Sequence, residues 1–493
     1  MSDRPSVLFL AITPKEYAPS NVRNYGVSRT FHLIPHKHSI LALTAWLRQH
    51  GCDGYYIWIH HDDPDGLDRI LQFIEDKKPD AIGLSLVTEE LIAHHRLIEK
   101  IKEKFPHIQV IAGGPHVSAE PVHTLENFPL IDYVCIGEGE RTLTEWLKMI
   151  AKGKSTKDMR QVRGLAFRDN SYGVAITSPR EKFNDINILP DPAFDLIAQR
   201  ERNLFRDSAF PLVGSYGCRH FCAFCAADHG NYRFMTPERI VDQIERAQRE
   251  FGVGYFSIRD SFWPPSKVWC DRFCDLVELK KLQFQFHFET RAGTLDLRQM
   301  IRLKNIGAIA VAVGVESGDP DMLKAMRKGI TLDMARRTFA DLHKAGILSI
   351  AFFMLGFPGE TYDTIDRSAE FARELNPTLL SLATFRPLPG TEIHRHIAED
   401  DKYWWMKGEY PTVGEIPINE LKRIHEEMHI RYPLNIAYLK QHVYASRLPA
   451  ELRKVAYSAF RVHLRKYVLG ILERYSITRE LIRHTRSLIR RYS

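Results

Sequence analysis

The stretch Gly217-Cys-Arg-His-Phe-Cys-Ala-Phe-Cys-Ala226 carries Cys218, Cys222 and Cys225 in the spacing C-x3-C-x2-C. One tight loop therefore presents three thiolates, the natural ligands of iron–sulfur clusters. A four-iron four-sulfur cluster ordinarily takes four cysteines. A local set of three leaves one iron without a protein ligand, free to bind a small molecule. A structural zinc ion is the alternative, with His220 or His229 as its fourth ligand. Zinc sites usually join two knuckles from separate segments, and no second knuckle follows here. Cys52, Cys135, Cys270 and Cys274 read as core residues, the last two at i,i+4 on a helical pattern.

The loop follows an apolar run that starts at Pro211. Strand-like segments end at Gly214–Gly217, Tyr255–Asp260, Gln285–Arg291, Ala308–Ser317, Ile350–Gly356 and Leu380–Arg386. Helical patterns such as Glu238–Glu250 and Asp333–Ala345 separate them. Six such βα units suit a partial barrel, open on one side, with its site at the strand C-termini. The cysteine loop stands at the end of the first strand, where barrel chemistry belongs.

Upstream, apolar runs at Ser6–Ile12, Tyr55–Ile59, Ala81–Val87, Gln109–Ala112 and Tyr133–Ile136 alternate with helical patterns at Ser39–His50, Leu67–Asp76, Ile92–Phe105 and Thr142–Ile150. That alternation implies an α/β, doubly wound parallel sheet. Ligands in such sheets bind outside the carboxyl ends of the strands. Those ends carry Thr88, Gly113-Gly114-Pro115-His116-Val117-Ser118 and Gly137-Glu138-Gly139-Glu140. The last turn is superficially similar to a dinucleotide fingerprint but lacks its third glycine. The expected organisation is a Rossmann-like domain over 1–150, a connector over 151–210, the partial barrel over 211–395 and a helical region over 396–493.

An odd number of cysteines, 7 with three clustered, does not make a secreted disulfide framework. The N-terminus lacks the basic start of an export signal, and no run of 18 apolar residues occurs, so a cytoplasmic protein is expected. The net charge of +7 is concentrated at the end. From Ser446 onward there are 12 Lys or Arg against 3 Asp or Glu, which leaves the body nearly neutral and argues against nucleic-acid binding. In the tail, Leu481, Ile482, Leu488 and Ile489 make an apolar stripe beside Arg479, Arg483, Arg486, Arg490 and Arg491. Such a helix suits peripheral contact with an anionic inner membrane surface, or packs on the barrel with a solvated basic face.

Taken in order, the GGPHVS and GEGE turns, the LPDPAFDL connector, the GCRHFCAFC loop, the GVESG strand end and the MLGFPGET turn resemble the radical S-adenosylmethionine (SAM) superfamily. More narrowly, they resemble its branch with an N-terminal cobalamin-binding domain, over about residues 5–440. The resemblance implies a [4Fe–4S] cluster on Cys218, Cys222 and Cys225, with SAM chelated to the open iron. Electron transfer from the reduced cluster would then yield a 5′-deoxyadenosyl radical that abstracts hydrogen from an unactivated carbon. The protein's task is to position the parts and exclude competing reactions.

Further SAM contacts are carried over by position. Phe224 would pack near the adenine, as would Gly356, Phe357 and Pro358. Glu316 and Ser317 would meet the ribose hydroxyls, and Asp260 the methionyl amino group. Arg291 would clamp the methionyl carboxylate. Asp260 as a helix cap and Arg291 in a structural ion pair are the competing readings. For cobalamin the resemblance points to Thr88, Gly113, Gly114, His116, Ser118, Gly137, Glu138 and Gly139. The D-x-H-x-x-G motif that supplies an axial histidine is absent, and His32, His36 and His38 lack its context.

The function this implies is carbon methylation through methylcobalamin. The alternatives are radical cyclisation, dehydration or rearrangement without methyl transfer and, in another class, a zinc-stabilised binding module. The expected partners are a natural-product or lipid-like small molecule and an external flavodoxin- or ferredoxin-type electron donor. Trp263, Tyr403, Trp404 and Trp405 are candidates to line the substrate pocket.

Overall fold

Residues Ser6 to Ile12 alternate between two faces of a sheet, and each face acquires its own helices. The computed structural model describes residues 4–13, 37–169, 173–197, 209–397, 402–407, 411–432 and 436–444, with scattered residues between 453 and 464. Its first unit runs β1 (Ser6–Thr13), α1 (His38–Gln49), β2 (Asp53–His60), α2 (Gly66–Lys77), β3 (Ala81–Ser85), α3 (Leu91–Lys104), β4 (Gln109–Gly113), α4 (Pro115–Ala119), α5 (Pro121–Asn127), β5 (Tyr133–Cys135) and α6 (Gly139–Ala151). The first five strands are parallel, in the order β2-β1-β3-β4-β5. Val7, Phe9 and Ala11 pack under α1 and α6 with Leu47 and Trp146. Leu8, Leu10 and Ile12 pack under α2 and α3 with Ile70 and Ile98. This is the doubly wound arrangement expected from the alternating segments.

The stretch read as a connector is only partly one. It contributes β6 (Leu165–Asp169) and β7 (Gly173–Ile176), which extend the sheet antiparallel from β5. A short buried β5 leaves an edge that must be paired, and β6 supplies the partner.

The second unit begins at β8 (Phe210–Leu212) and continues through a small hairpin of β9 (Ser215–Tyr216) and β10 (Arg233–Phe234). It then alternates α7 (Pro237–Phe251), β11 (Tyr255–Ile258), α8 (Lys267–Lys280), β12 (Gln285–Arg291), α9 (Leu297–Asn305), β13 (Ala308–Glu316), α10 (Leu332–Ala345), β14 (Leu348–Leu355), α11 (Tyr362–Leu375) and β15 (Leu379–Thr384). β8 and β11 to β15 form one six-stranded parallel sheet in sequential order. The first strand is shorter than expected, because Ser215 and Tyr216 leave it for the hairpin.

Helix starts in this unit are written locally. Thr236, Ser266, Thr331 and Thr361 each accept a backbone N–H from three residues on, and α7 and α10 stop at Gly252 and Gly346 in the left-handed conformation. Phe286 and Phe288 of β12 pack outward with Trp263 and Phe273. His287, Glu289 and Arg291 alternate with them and face inward.

After β15 the chain returns to the first unit. Arg386 pairs with Glu89 at 3.0 Å, and Trp404 and Trp405, 4% and 5% exposed, join the core under α2 and α3. Trp405 lies against His116 (ring centroids 4.9 Å apart) and His394 (5.8 Å), and Tyr403 stacks on His123 at 3.8 Å. Trp263 is 1% exposed within the barrel core. Trp263, Trp404 and Trp405 thus serve packing, and Tyr403 is partly buried against His123. The helical C-terminal region is represented by Trp404–Lys407, α12 (Ile418–Arg431) and Ile436–Leu439. The basic stripe over 479–491 lies outside the described residues. No helix among the described residues is long and apolar enough to cross a membrane.

Candidate active site

The cysteine loop hangs between β9 and β10 and is closed by its own backbone. Cys218 donates its N–H to Asp228 O and accepts at its carbonyl from Gly230, both at 3.0 Å. Gly217 opens the loop at φ +75°, where a Cβ would stand 2.3 Å from Asn231 O, so glycine is required. The ring nitrogens of His229 lie 2.5 Å from His220 O and 2.8 Å from Cys225 O. That ring staples the loop, with both nitrogens engaged by backbone carbonyls rather than turned toward a metal. Among the described residues, the one His, Cys, Asp or Glu trio within reach of a single ion is His60, His61 and Asp62, away from the cysteines. Burial pushes the Cys222 and Cys225 thiols up, while the charge of Lys328 pulls both the other way. One buried thiol and two half-buried ones beside a cation suit a cluster that binds them as thiolates.

Around the loop stand the strand ends. Ala223 donates its N–H to Met326 O at 3.0 Å, anchoring the loop beyond β13. Phe224 packs against the cluster of Phe357, Phe385, Met322 and Met326, which brings together the two aromatics expected near an adenine. Lys328 Nζ lies 5.7 Å over the Phe224 ring and 2.6 Å from Glu316, a pair with both side chains nearly buried.

Arg291 is half-buried on the inner face of β12. Among the described residues it forms no ion pair with a carboxylate. Asp260 is 2% exposed and caps no helix. Its Oδ1 accepts the Gly214 N–H at 2.7 Å, tying the end of β8 to the end of β11, while its buried Oδ2 has no partner. Burial raises its pKa to about 7.

Ser317 departs from expectation. The register of β13 slips between Gly314 and Glu316, and Glu316 sits at φ +72°. Ser317 is thereby turned toward α11, 0% exposed, its hydroxyl 3.2 Å from Ser368 and accepting the Asp319 N–H. The turn Gly356-Phe357-Pro358 is closed by Glu360, whose carboxylate accepts the Gly356 N–H. Sequence reading missed Glu360 and Lys328. The acid of the GFPGE turn was a signal for the first; nothing local marked the second.

A cavity of about 200 Å³ opens at the carboxyl ends of β3, β4 and β5, beside α1 and α6. Gly113, Gly114, Gly137, Glu138 and Gly139 line it. So do Glu140 and Tyr216, the latter two residues before Cys218. Gly114 holds φ +103°, with a hypothetical Cβ 2.6 Å from Leu86 O. Ser118 accepts the Gly137 N–H at 3.0 Å and so shapes the rim. Thr88 and His116 do not reach the cavity. They bond each other at 3.1 Å on the opposite face, where His116 is covered by Trp405. The cavity faces the hairpin: Glu138 pairs with Arg233 at 2.5 Å, and Arg233 donates to Phe183 O at 2.6 Å.

The sequence profile of the Radical SAM superfamily matches residues 212–372, and that of the B12 binding domain matches residues 26–147. These are the units built above. The chain carries a radical SAM domain preceded by a B12-binding domain.

An uncharacterized methyltransferase of Pyrococcus horikoshii is 24% identical over 73% of this chain and 78% of its own length. The anaerobic magnesium-protoporphyrin IX monomethyl ester cyclase of Rubrivivax gelatinosus is 25% identical over 67% of this chain and 61% of its own, so the chain spans less than two thirds of that relative. The structure of the radical SAM methyltransferase TsrM from Kitasatospora setae, with cobalamin and a [4Fe–4S] cluster bound, superposes with a TM-score of 0.64. The two are 18% identical, and the match covers 79% of this chain and 75% of the other.

Domains of these two kinds take a [4Fe–4S] cluster with SAM and a cobalamin, respectively. The residues present fit them. Three thiols without a fourth suit the cluster, and the half-buried Arg291 with its cationic neighbour Lys328 suits an anionic ligand. The glycine-rimmed cavity suits part of a corrinoid.

Proposed function

We propose that this radical SAM enzyme uses cobalamin to methylate an unactivated carbon of a small molecule, such as a natural product or a lipid-like substrate. The observation that carries the reading is the position of Tyr216. It lines the cavity of the B12-binding sheet and lies two residues from the first cluster cysteine, so one space serves both cofactors. When bound, those groups supply a reducible cluster, an adenosyl radical source and a methyl carrier.

Each residue then has a task. Cys218, Cys222 and Cys225 hold the cluster. Arg291 holds the methionyl carboxylate of SAM, and Glu316, oriented by Lys328, accepts from the ribose diol. Phe224 and Phe357 give the adenine an apolar seat, and the turn closed by Glu360 brings backbone beside it. Asp260 fixes the base of the hairpin through Gly214 and offers its free oxygen to the methionyl ammonium. The cluster, when bound, would take its electron from an external flavodoxin- or ferredoxin-type donor, in the reducing cytoplasm that free thiols require.

The cyclase relative favours a second reading, radical chemistry without methyl transfer. Anaerobically reconstituted protein, given SAM and a reductant with and without cobalamin, separates the two. Methyl transfer predicts 5′-deoxyadenosine together with S-adenosylhomocysteine, the latter only when cobalamin is present. 5′-Deoxyadenosine alone in both samples supports the second reading. Neither product would reject both.

A further inference from the structure

The inner face of the barrel carries a second arginine, deeper than Arg291. On β11, Phe256 and Ile258 pack outward in the barrel core, while Ser257 faces inward and bonds His287 at 2.9 Å. Arg259 donates its N–H to Leu212 O at 2.8 Å, so the ladder with β8 continues through it. Alternation then directs its side chain to the inner face, one layer above Ser257 and level with Glu289 of β12. Its charge acts on both His287 and Glu289, in keeping with that placement. Arg259 is exposed, and among the described residues its guanidinium forms no ion pair and no hydrogen bond.

The layer beneath Arg259 is closed. His287 is bonded at one ring nitrogen by Ser257 and at the other by Tyr255, at 2.6 Å, and Ala310, Leu348 and Leu379 pack with the Tyr255 ring. Above this plug the register sets Glu289, Ala312 and Ile350 in one row and Arg291, Gly314 and Phe352 in the next. At Gly314 the Lys328–Glu316 pair fills the gap, for a Cβ there would stand 2.6 Å from Lys328 Nζ. At Ala312 only a methyl group projects between its neighbours. Space is thus left below Glu316, with Arg259 on one wall and Ile350 and the half-buried Phe352 on the other. Arg259, Arg291 and Lys328 outnumber Glu289 and Glu316 on these rows, and burial pushes the Glu289 carboxyl up against the pull of Arg259. A fork of N–H donors facing an apolar wall suits a molecule with an acidic end and an apolar body.

We propose that the substrate is an amphiphilic organic anion, a carboxylate or a phosphate monoester, whose acidic group is held by Arg259 while its apolar body crosses Ala312 toward Ile350 and Phe352. The inference rests on the radical SAM reading above and narrows it. Arg259 sets the charge of the substrate, and the row of Ala312 sets its thickness.

The test uses the full chain with its cluster reconstituted and SAM present, without reductant so that nothing turns over. Octanoate, monooctyl phosphate and neutral octanamide are titrated by calorimetry. Native protein is expected to bind at least one anion about tenfold more tightly than octanamide, the scale of one charge-assisted hydrogen bond. A preference confined to one anion names the acid as carboxylate or phosphate. Arg259→Met should bring the preferred anion within about threefold of octanamide, and Arg259→Lys should keep part of the preference, both with native iron content. Ala312→Leu narrows the space and should weaken all three probes, which separates the barrel interior from surface binding. Anions bound no better than octanamide by native protein would overturn the proposal, as would a preference that survives Arg259→Met or binding untouched by Ala312→Leu. Native protein that holds no iron, or yields no 5′-deoxyadenosine once reductant is added, would instead sink the radical reading beneath it.

Discussion

Glu138, at the carboxyl end of the B12-binding sheet, and Arg233, on the second strand of the cysteine hairpin, are paired at 2.5 Å with the arginine side chain 8% exposed. Arg233 also lies 3.8 Å from Asp228, whose backbone carbonyl accepts the N–H of Cys218. The pair therefore registers the hairpin against the sheet. Removing one partner of a buried pair costs about 3 kcal/mol, because the other is left uncompensated. Arg233→Met should lower stability by about that amount in chemical denaturation. The reversed pair, Glu138→Arg with Arg233→Glu, should recover part of it. A loss below 1 kcal/mol for Arg233→Met would show that the pair does not join the two units.

Cluster assembly depends on the hairpin alone. Native protein reconstituted without oxygen should hold about four irons. The triple substitution of Cys218, Cys222 and Cys225 by Ala should lose them together with 5′-deoxyadenosine production. Cys270 and Cys274 are both 0% exposed in the barrel core. Their replacement by Ala should lower the melting temperature and leave iron content intact. Iron analysis giving the reverse pattern would reject the assignment.

Gly113 is the position at which to fill the corrinoid cavity. Unlike Gly114, it has room for a Cβ, with its closest contact at 3.8 Å. Gly113→Leu should obstruct the cavity without straining the turn. Cobalamin retained after gel filtration should fall at least about tenfold, while iron content and reductive cleavage of SAM persist. Full cobalamin retention would place the corrinoid elsewhere.

Arg291 offers a direct probe of SAM binding. Arg291→Met should weaken SAM binding by roughly tenfold or more, the scale of a charge-assisted hydrogen-bonded pair, with iron content unchanged. Isothermal titration of the reconstituted protein reads both native and variant. Equal affinities would remove the carboxylate-clamp role.

Acid should loosen the contact between the chain after β15 and the B12-binding sheet. Burial lowers the His116 pKa to about 3, helped by the charges of His123 and His394. The unfolded imidazole takes up its proton near pH 6.5 and the folded one only near pH 3, so stability is full above pH 6.5 and falls as pH drops. Each such histidine removes about 1.4 kcal/mol per pH unit within that window. His116→Phe should flatten the dependence of unfolding free energy on pH between 6.5 and 5. An unchanged slope would show that His116 is already protonated in the fold.

The sequence by itself determined both sheets. Segments of period two alternating with helical patterns have few stable solutions, and turn residues such as Thr236, Gly252, Thr331 and Gly346 fix helix ends locally. The cluster ligands were equally legible, because C-x3-C-x2-C lies within one loop and its chemistry needs no distant partner. Only the tertiary structure decided which residues at the strand ends face a cofactor. A slip of one position in β13 turned Ser317 toward α11, since side chains on a strand alternate and a bulge reverses the face. His116 went to the far side because Trp405, nearly three hundred residues later, packs over it. Lys328 and Arg233 gained their roles from contacts between segments far apart in the chain, and such contacts leave no periodic trace in sequence.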